Sequence, residues 1–581
     1  MRPLRRQTEV VPRFFALFAY FAKRAFCFDI ILFGGIDLVI TDFLEKNARL
    51  YGNETALVEI NPSEERDKAV TWREMSLVLG ARPDAPYRRE MSWKDFDRRA
   101  NRIANLLLSR GIKRGTKIAV LMMNCLEFLP IYFGILKAGA IVVPMNYRYS
   151  SDEIKYCLSL ADVEVLFFGP EFVERIDAVQ SDASLRAMFF VGRNEPPYAE
   201  NCFKLASFCS SSLPPVELSP DDEAAIYFSS GTTGFPKAIL HKHSALVASC
   251  ITEQRHHSQT HDDVFLCIPP LYHTGAKMHW FGSLLTGGKA VLLRGTKPEW
   301  ILRAVTEEKC TIVWLLVPWV QDILDDIESG KIKLDHFLLD QWRLMHIGAQ
   351  PVPPSLIKRW LKVFPHHEYD TNYGLSESLG PGCVHLGVGN TEKVGAIGKA
   401  GYLWETRIVD ENRRDVKRGC VGELAVKGPG VMIEYYKNPE ATEKVLSDGW
   451  LFTGDMAVED DDGFIFLVDR KKDVIIMGGE NLYPVQIEDF LRQYEKIKDV
   501  AVIGLPDRRL GEIPAAIIEL KDGETCSQSE IESFCAALPR YKRPKKIIFD
   551  KIPRNPTGKI EKPKLREKYC GESVVAQQIE M

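Results

Sequence analysis

The sequence predicts an α/β fold divided into two or more domains, and three observations predict it. Strand-like apolar runs (Lys117 to Met123, Ala140 to Val143, Val163 to Phe168) alternate with helix-like stretches (Phe128 to Lys137, Ser151 to Leu160), the signature of parallel α/β layers. At 581 residues the chain is too long to organise around a single core. Its 45% hydrophobic and 27% charged content is that of an ordinary globular protein. The net charge of −4 offers no electrostatic footprint for nucleic acid, so none is expected as a partner. The 13 cysteines form no C-x-x-C pair and no His/Cys cluster at zinc spacing, which points to reduced thiols in a cytoplasmic protein.

Taken in order, residues 1–36 stand apart. Arg2, Arg5, Arg6 and Arg13 precede the apolar run Phe14 to Tyr20, and Lys23, Arg24 and Asp29 break the apolar stretch. A spanning helix needs about 20 consecutive apolar residues, so the extension is read as a targeting presequence, an interfacial helix or a misassigned start. From Ile40 a domain begins, with Phe43 to Ala48 helical and Thr55 to Ile60 a strand. Arg73-Glu-Met-Ser76 then recurs as Arg89-Glu-Met-Ser92, and the stretch before the helix at Trp93 reads as an insertion, a surface loop or an extra hairpin. Lys137-Ala-Gly-Ala-Ile-Val-Val-Pro144 is read as core.

The chemistry concentrates around Tyr227-Phe-Ser-Ser-Gly-Thr-Thr-Gly-Phe-Pro-Lys237. A buried strand, Ala224 to Phe228, runs into Gly231 and Gly234, which let backbone N–H groups approach a ligand closely. Ser229, Ser230, Thr232 and Thr233 add hydroxyl donors and Lys237 a positive charge, a set suited to a polyphosphate. A flexible polar surface loop is the plainer reading of such composition. The loop is not a Walker A motif, because Pro236-Lys237-Ala238 replaces Gly-Lys-Ser/Thr.

The stretch resembles the phosphate loop of the adenylate-forming superfamily, which comprises acyl-CoA synthetases, peptide-synthetase adenylation domains and luciferases. Further motifs follow in that family's order from about Asp37 to Lys564. Pro269-Pro-Leu-Tyr-His-Thr-Gly275 resembles the acyl-pocket segment and implies His273 near the carboxylate. The ammonium-pairing aspartate of amino-acid-activating relatives is missing, and Lys277 stands where some long-chain relatives carry a gating tryptophan. Leu344 to Gln350 implies Gly348, Ala349 and Gln350 against adenine. Asn372-Tyr-Gly-Leu-Ser-Glu377 resembles Tyr-Gly-x-Thr-Glu, implying Asn372, Tyr373, Gly374 and Ser376 at the nucleotide and Glu377 as the Mg²⁺ ligand.

Asp455 in Thr453-Gly-Asp455 is assigned the ribose, since a carboxylate accepts from both vicinal hydroxyls, with Arg470 beside it. Lys472 matches the family's hinge, Gly478, Gly479 and Glu480 its second-half-reaction loop, and Tyr483-Pro-Val opens a helix. Lys559 in Pro553-Arg-Asn-Pro-Thr-Gly-Lys559 is implied as the catalytic lysine, opposite charge developing at the α-phosphate.

The resemblance therefore implies a large multi-subdomain adenylating domain (37–468), a small mobile α/β lid (469–570) and a tail (571–581). It implies an AMP-forming carboxylate–CoA ligase using ATP, Mg²⁺ and coenzyme A on a medium- or long-chain or cyclic acid. A synthetase loading a carrier protein in trans and a non-catalytic binding relative are the alternatives. A homodimer and weak membrane association through the extension are left open.

Overall fold

The computed structural model describes residues 38–63, 69–70, 87–181, 185–229, 236–348, 352–478, 480–554 and 560–570. Two large sheets and two smaller ones carry these residues. In the largest sheet, Glu368–Leu375, Leu344–Gly348, Ile312–Leu316, Val264–Cys267, Lys289–Leu293 and Thr55–Ile60 are successive parallel neighbours. Their burial is nearly continuous, as parallel strands covered on both faces require. The second sheet runs from Glu434–Tyr435 through Ala238–Lys242, Glu223–Phe228, Ile141–Pro144, Lys117–Leu121 and Val163–Phe168.

Helices Trp93–Ser109, Phe128–Lys137 and Thr274–Thr286 pack between the sheets, where Trp93, Phe96, Phe133 and Trp280 form one aromatic cluster. Ser92 caps the first of these by accepting from the Asp95 N–H at 3.2 Å. Every residue of Phe128–Lys137 is buried, and Lys137 is held by Asp97 at 2.8 Å and Glu45 at 3.0 Å. The Lys137–Pro144 segment is therefore core, as expected.

The expected surface insertion before Trp93 needs correction. Residues 71–86 lie outside the described ones, but Arg88–Ser92 is an interior strand, antiparallel to Thr55–Ile60. Arg89 is buried between Glu59 and Glu127, and its fork takes Glu127 at 2.5 and 2.9 Å. Thr55–Ile60 ends in a carboxylate-bearing, fully covered face, and only a paired cation makes that tolerable. Sequence reading missed this because Glu59 and Glu127, its charge partners, lie far from Arg89 in the chain.

A third sheet carries Trp450–Glu459 paired with Ile465–Arg470, and the 3₁₀ turn Lys471–Asp473 follows it directly. Beyond this turn a separate small sheet, built on the long hairpin Ile497–Asp507/Gly511–Leu520, encloses its own core with helix Pro484–Leu491. Among the described residues no helix is long and apolar enough to cross a membrane.

Candidate active site

A cleft of about 3100 Å³ opens where strands of the first three sheets meet the separate small one. Ligand crevices in parallel sheets lie beyond the carboxyl ends of the strands, and that is where Ile312–Leu316 and Glu368–Leu375 deliver Trp314 and Asn372 to Ser376. Glu223–Phe228 brings Ser229 to the same cleft, and Lys237, just ahead of Ala238–Lys242, joins it. Gly348 ends its strand beside Asn372 and Trp314.

Glu377 sits in the 3₁₀ turn Ser376–Ser378 that breaks the long strand. Its carbonyl accepts from Met432 N–H at 2.8 Å, and its Oε1 accepts from the Tyr435 hydroxyl at 2.8 Å. Tyr435 also presents its ring to Lys237, whose Nζ lies 4.5 Å from the centroid. One phenol thus spaces the cation from the carboxylate, preventing the two from collapsing into a direct ion pair. The pairing of Ile239 with Tyr435 puts that phenol next to Lys237. His241, on the same strand, bonds the Ser376 carbonyl through Nε2 at 2.9 Å. Burial pushes this imidazole down to about 4, so it is neutral, and because a carbonyl only accepts, its proton is on Nε2.

Asp455 and Arg470 face each other across one register position, with Nε 3.2 Å from Oδ1. Tyr373 donates its hydroxyl to the other oxygen at 2.5 Å, and burial followed by the Asp455 charge pushes that phenol well above its ordinary range. The carboxylate is consequently fixed at both oxygens. Lys472 lies at the cleft's edge, where its ammonium is open to solvent yet crowded by protein. Desolvation pushes it down to about 8, with Arg470 and Arg566 acting in the same direction.

His273 caps helix Thr274–Thr286, its Nδ1 accepting from Gly275 N–H at 3.1 Å, and it lines the cleft with Tyr272. A Cβ on Gly275 would meet Trp314 at 3.0 Å and His273 at 3.2 Å, so only glycine lets these rings close over the helix start.

Ser230, Gly231, Thr232, Thr233, Gly234, Ala349, Gln350, Gly479 and Lys559 lie outside the described residues. Gly478 lies at the turn of the hairpin Ile475–Met477/Glu480–Leu482, whose Ile476 lines the cleft, and Glu480 opens the second strand. Tyr435, Trp314 and His241 escaped sequence reading. Aromatic residues within apolar runs carry no local signal, and only the pairing of distant strands exposes their role.

Comparison with known proteins agrees with this geometry. Residues 44–436 match the model of the AMP-binding enzyme family, and residues 486–559 that of the AMP-binding enzyme C-terminal domain. A long-chain-fatty-acid–CoA ligase of Mycobacterium tuberculosis is 32% identical over 483 residues, covering 82% of this chain and 93% of its own. A feruloyl-CoA synthase of Amycolatopsis is also 32% identical, over 82% of this chain and 94% of its own. Among solved structures, ATP-bound MatB from Rhodopseudomonas palustris superposes with a TM-score of 0.79 at 25% identity, covering 92% of this chain and 99% of its own.

Proposed function

The chain belongs to the AMP-binding enzyme family, as an AMP-forming acid–CoA ligase that uses ATP, Mg²⁺ and CoA, and from that premise we propose how its residues divide the work and which acids it takes. The observation that carries the reading is one cleft lined both by Lys237, Glu377, Asp455 and Arg470 and by Tyr272, His273 and Trp314.

In this reading Asp455, locked by Tyr373 and Arg470, accepts from the ribose hydroxyls. Ser229 and Lys237 meet the phosphates. Glu377 is a hard oxygen donor anchored by Tyr435 beside Lys237, so its chemistry fits Mg²⁺, which would neutralise charge on the phosphates. No protein nucleophile is needed: the residues align the acid carboxylate with the α-phosphate and stabilise charge. The domain division expected at 468/469 falls within the paired strand Ile465–Arg470, so the part that turns begins at the hinge residue Lys472, bringing Lys559 for adenylation and the Gly478–Glu480 turn for thioester formation.

We further infer a medium- or long-chain or cyclic carboxylic acid. The relatives named for a long-chain fatty acid and for ferulate support it, and so does the aromatic wall of Tyr272 and Trp314. Pyrophosphate release with a panel of aliphatic, aryl and amino acids, with and without CoA, tests this. Turnover confined to amino acids, or independent of CoA, would refute it. The domain claim is tested on isolated half-reactions. Lys559→Ala should lose adenylate formation yet convert supplied acyl-adenylate to thioester, and Lys472→Pro should do the opposite. Equal loss of both half-reactions in both variants removes the hinge from the account.

A further inference from the structure

A second constellation, unconnected with the cleft, lies sealed in the largest sheet. His257, which ends the helix His243–His256, meets His346 of Leu344–Gly348 and Asp370 of Glu368–Leu375, and all three are completely buried. His257 Nε2, His346 Nδ1 and Asp370 Oδ2 form a triangle with edges of 2.9, 3.5 and 3.8 Å. A point equidistant from three atoms so placed lies roughly 2.0 Å from each, the bond length that Zn²⁺ makes to imidazole nitrogen and carboxylate oxygen.

The surroundings are those of metal ligands. Glu253 Oε1 lies 3.0 Å from the remote nitrogen of His257, the position of the outer carboxylate that orients a ligating imidazole and raises its basicity. Asp370 is oriented by accepting Gly387 N–H at 2.9 Å on its other oxygen. His385 Nδ1 lies 3.3 Å from the same Asp370 oxygen and helps fix it. Charge points the same way. Glu253 and Asp370 are both buried at 0% exposure, and buried carboxylates are costly unless positive charge offsets them. The nearby Arg343 is committed to Asp263 at 2.9 and 3.0 Å.

We propose that His257, His346 and Asp370 bind one divalent transition-metal ion of the zinc class, as a structural site distinct from the Mg²⁺ of the reaction. It would staple the end of a helix to two adjacent strands. His346 precedes Gly348 by two residues and Asp370 precedes Asn372 by two, so the staple fixes the strand ends that open into the cleft. No C-x-x-C or H-x₃-H spacing betrays it, because its ligands come from three separate elements.

The test is metal content and ligation of the full chain, expressed in zinc-supplemented medium and passed through EDTA-containing gel filtration. About one equivalent of zinc per chain is expected, with X-ray absorption showing nitrogen and oxygen neighbours including at least two imidazoles. His346→Gln should lower the content at least tenfold, while His336→Gln, on an exposed histidine, should not change it. Less than about a tenth of an equivalent of any transition metal in folded wild-type protein overturns the proposal. So does sulfur in the ligand shell, or a soluble His346→Gln variant that keeps its metal. Should that variant fail to fold, ligation measured on the wild type decides alone.

Discussion

Tyr435→Phe removes one hydroxyl and leaves the ring that faces Lys237, and so isolates the contact to Glu377. That hydroxyl donates to Glu377 Oε1 at 2.8 Å. A hydrogen bond to a charged group contributes about 1.5–3 kcal/mol when buried. Tyr435 is buried but Glu377 is partly open to the cleft, so solvent compensates part of the loss and about 1–2 kcal/mol is expected. If Glu377 must be held in place to act on Mg·ATP, that loss falls on the transition state and lowers kcat/KM for ATP roughly 5- to 30-fold. Pyrophosphate release, titrated against Mg²⁺ at fixed ATP, is the assay, and the variant should need more Mg²⁺ for half-maximal rate. Tyr435→Leu, which also strips the ring from Lys237, should do worse. A Tyr435→Phe enzyme within twofold of wild type at limiting Mg²⁺ refutes the claim that this phenol positions Glu377.

Two further outcomes follow from buried charge. Arg89→Met strands Glu59 and Glu127 without their cation and should cost about 3–5 kcal/mol, read as a lower urea midpoint, with part recovered by adding Glu127→Gln. His367, whose ring stacks on Phe364 at 4.7 Å, is pushed down to about 4 by burial. Its folded pKa is depressed, so its stability contribution is complete above the unfolded value near 6.5 and is lost as pH falls toward 4. Relative to His367→Phe, the wild type should therefore lose about 2 kcal/mol between pH 7.5 and pH 5 in urea titrations, and a pH-independent difference would contradict the burial argument.

What could be read from the chain depended on how local the signal was. The strand Thr55–Ile60, the helix start near Trp93 and the parallel layers were legible because their periodic signals lie within a few residues. Asp455 and Arg470 were legible through a motif, though not their pairing across one register position with Tyr373 on the opposite oxygen. Arg88–Ser92 was read with the stretch before it as a surface loop or hairpin, because Glu59 and Glu127, which hold the buried Arg89, stand at distant positions in the chain. Tyr435 and the His257–His346–Asp370 cluster were invisible for the same reason: sheet pairing creates them, and no window of sequence contains both partners.

The geometry also explains why proline at 472 is informative about motion rather than folding. Arg470 is pinned to Asp455 by strand pairing, so the ribose anchor stays with the larger sheets whatever happens beyond it. The turn Lys471–Asp473 begins immediately after, with Lys472 in its first turn, where the fixed φ of proline fits. Among the contacts around the turn, two help define the arrangement present here. Asp469 accepts Val485 N–H at 3.0 Å, and Asp473 pairs with Arg566 at 2.8 Å. Rotation about Lys472 would leave Asp469 with the larger part and carry Val485 away, breaking the first contact, whereas Asp473 and Arg566 can travel together. Asp469 is buried, and that burial raises its carboxyl to about 6, so near neutrality it holds Val485 as a carboxylate with little water to replace it. The cost of turning thus includes the loss of this backbone contact beside the hinge.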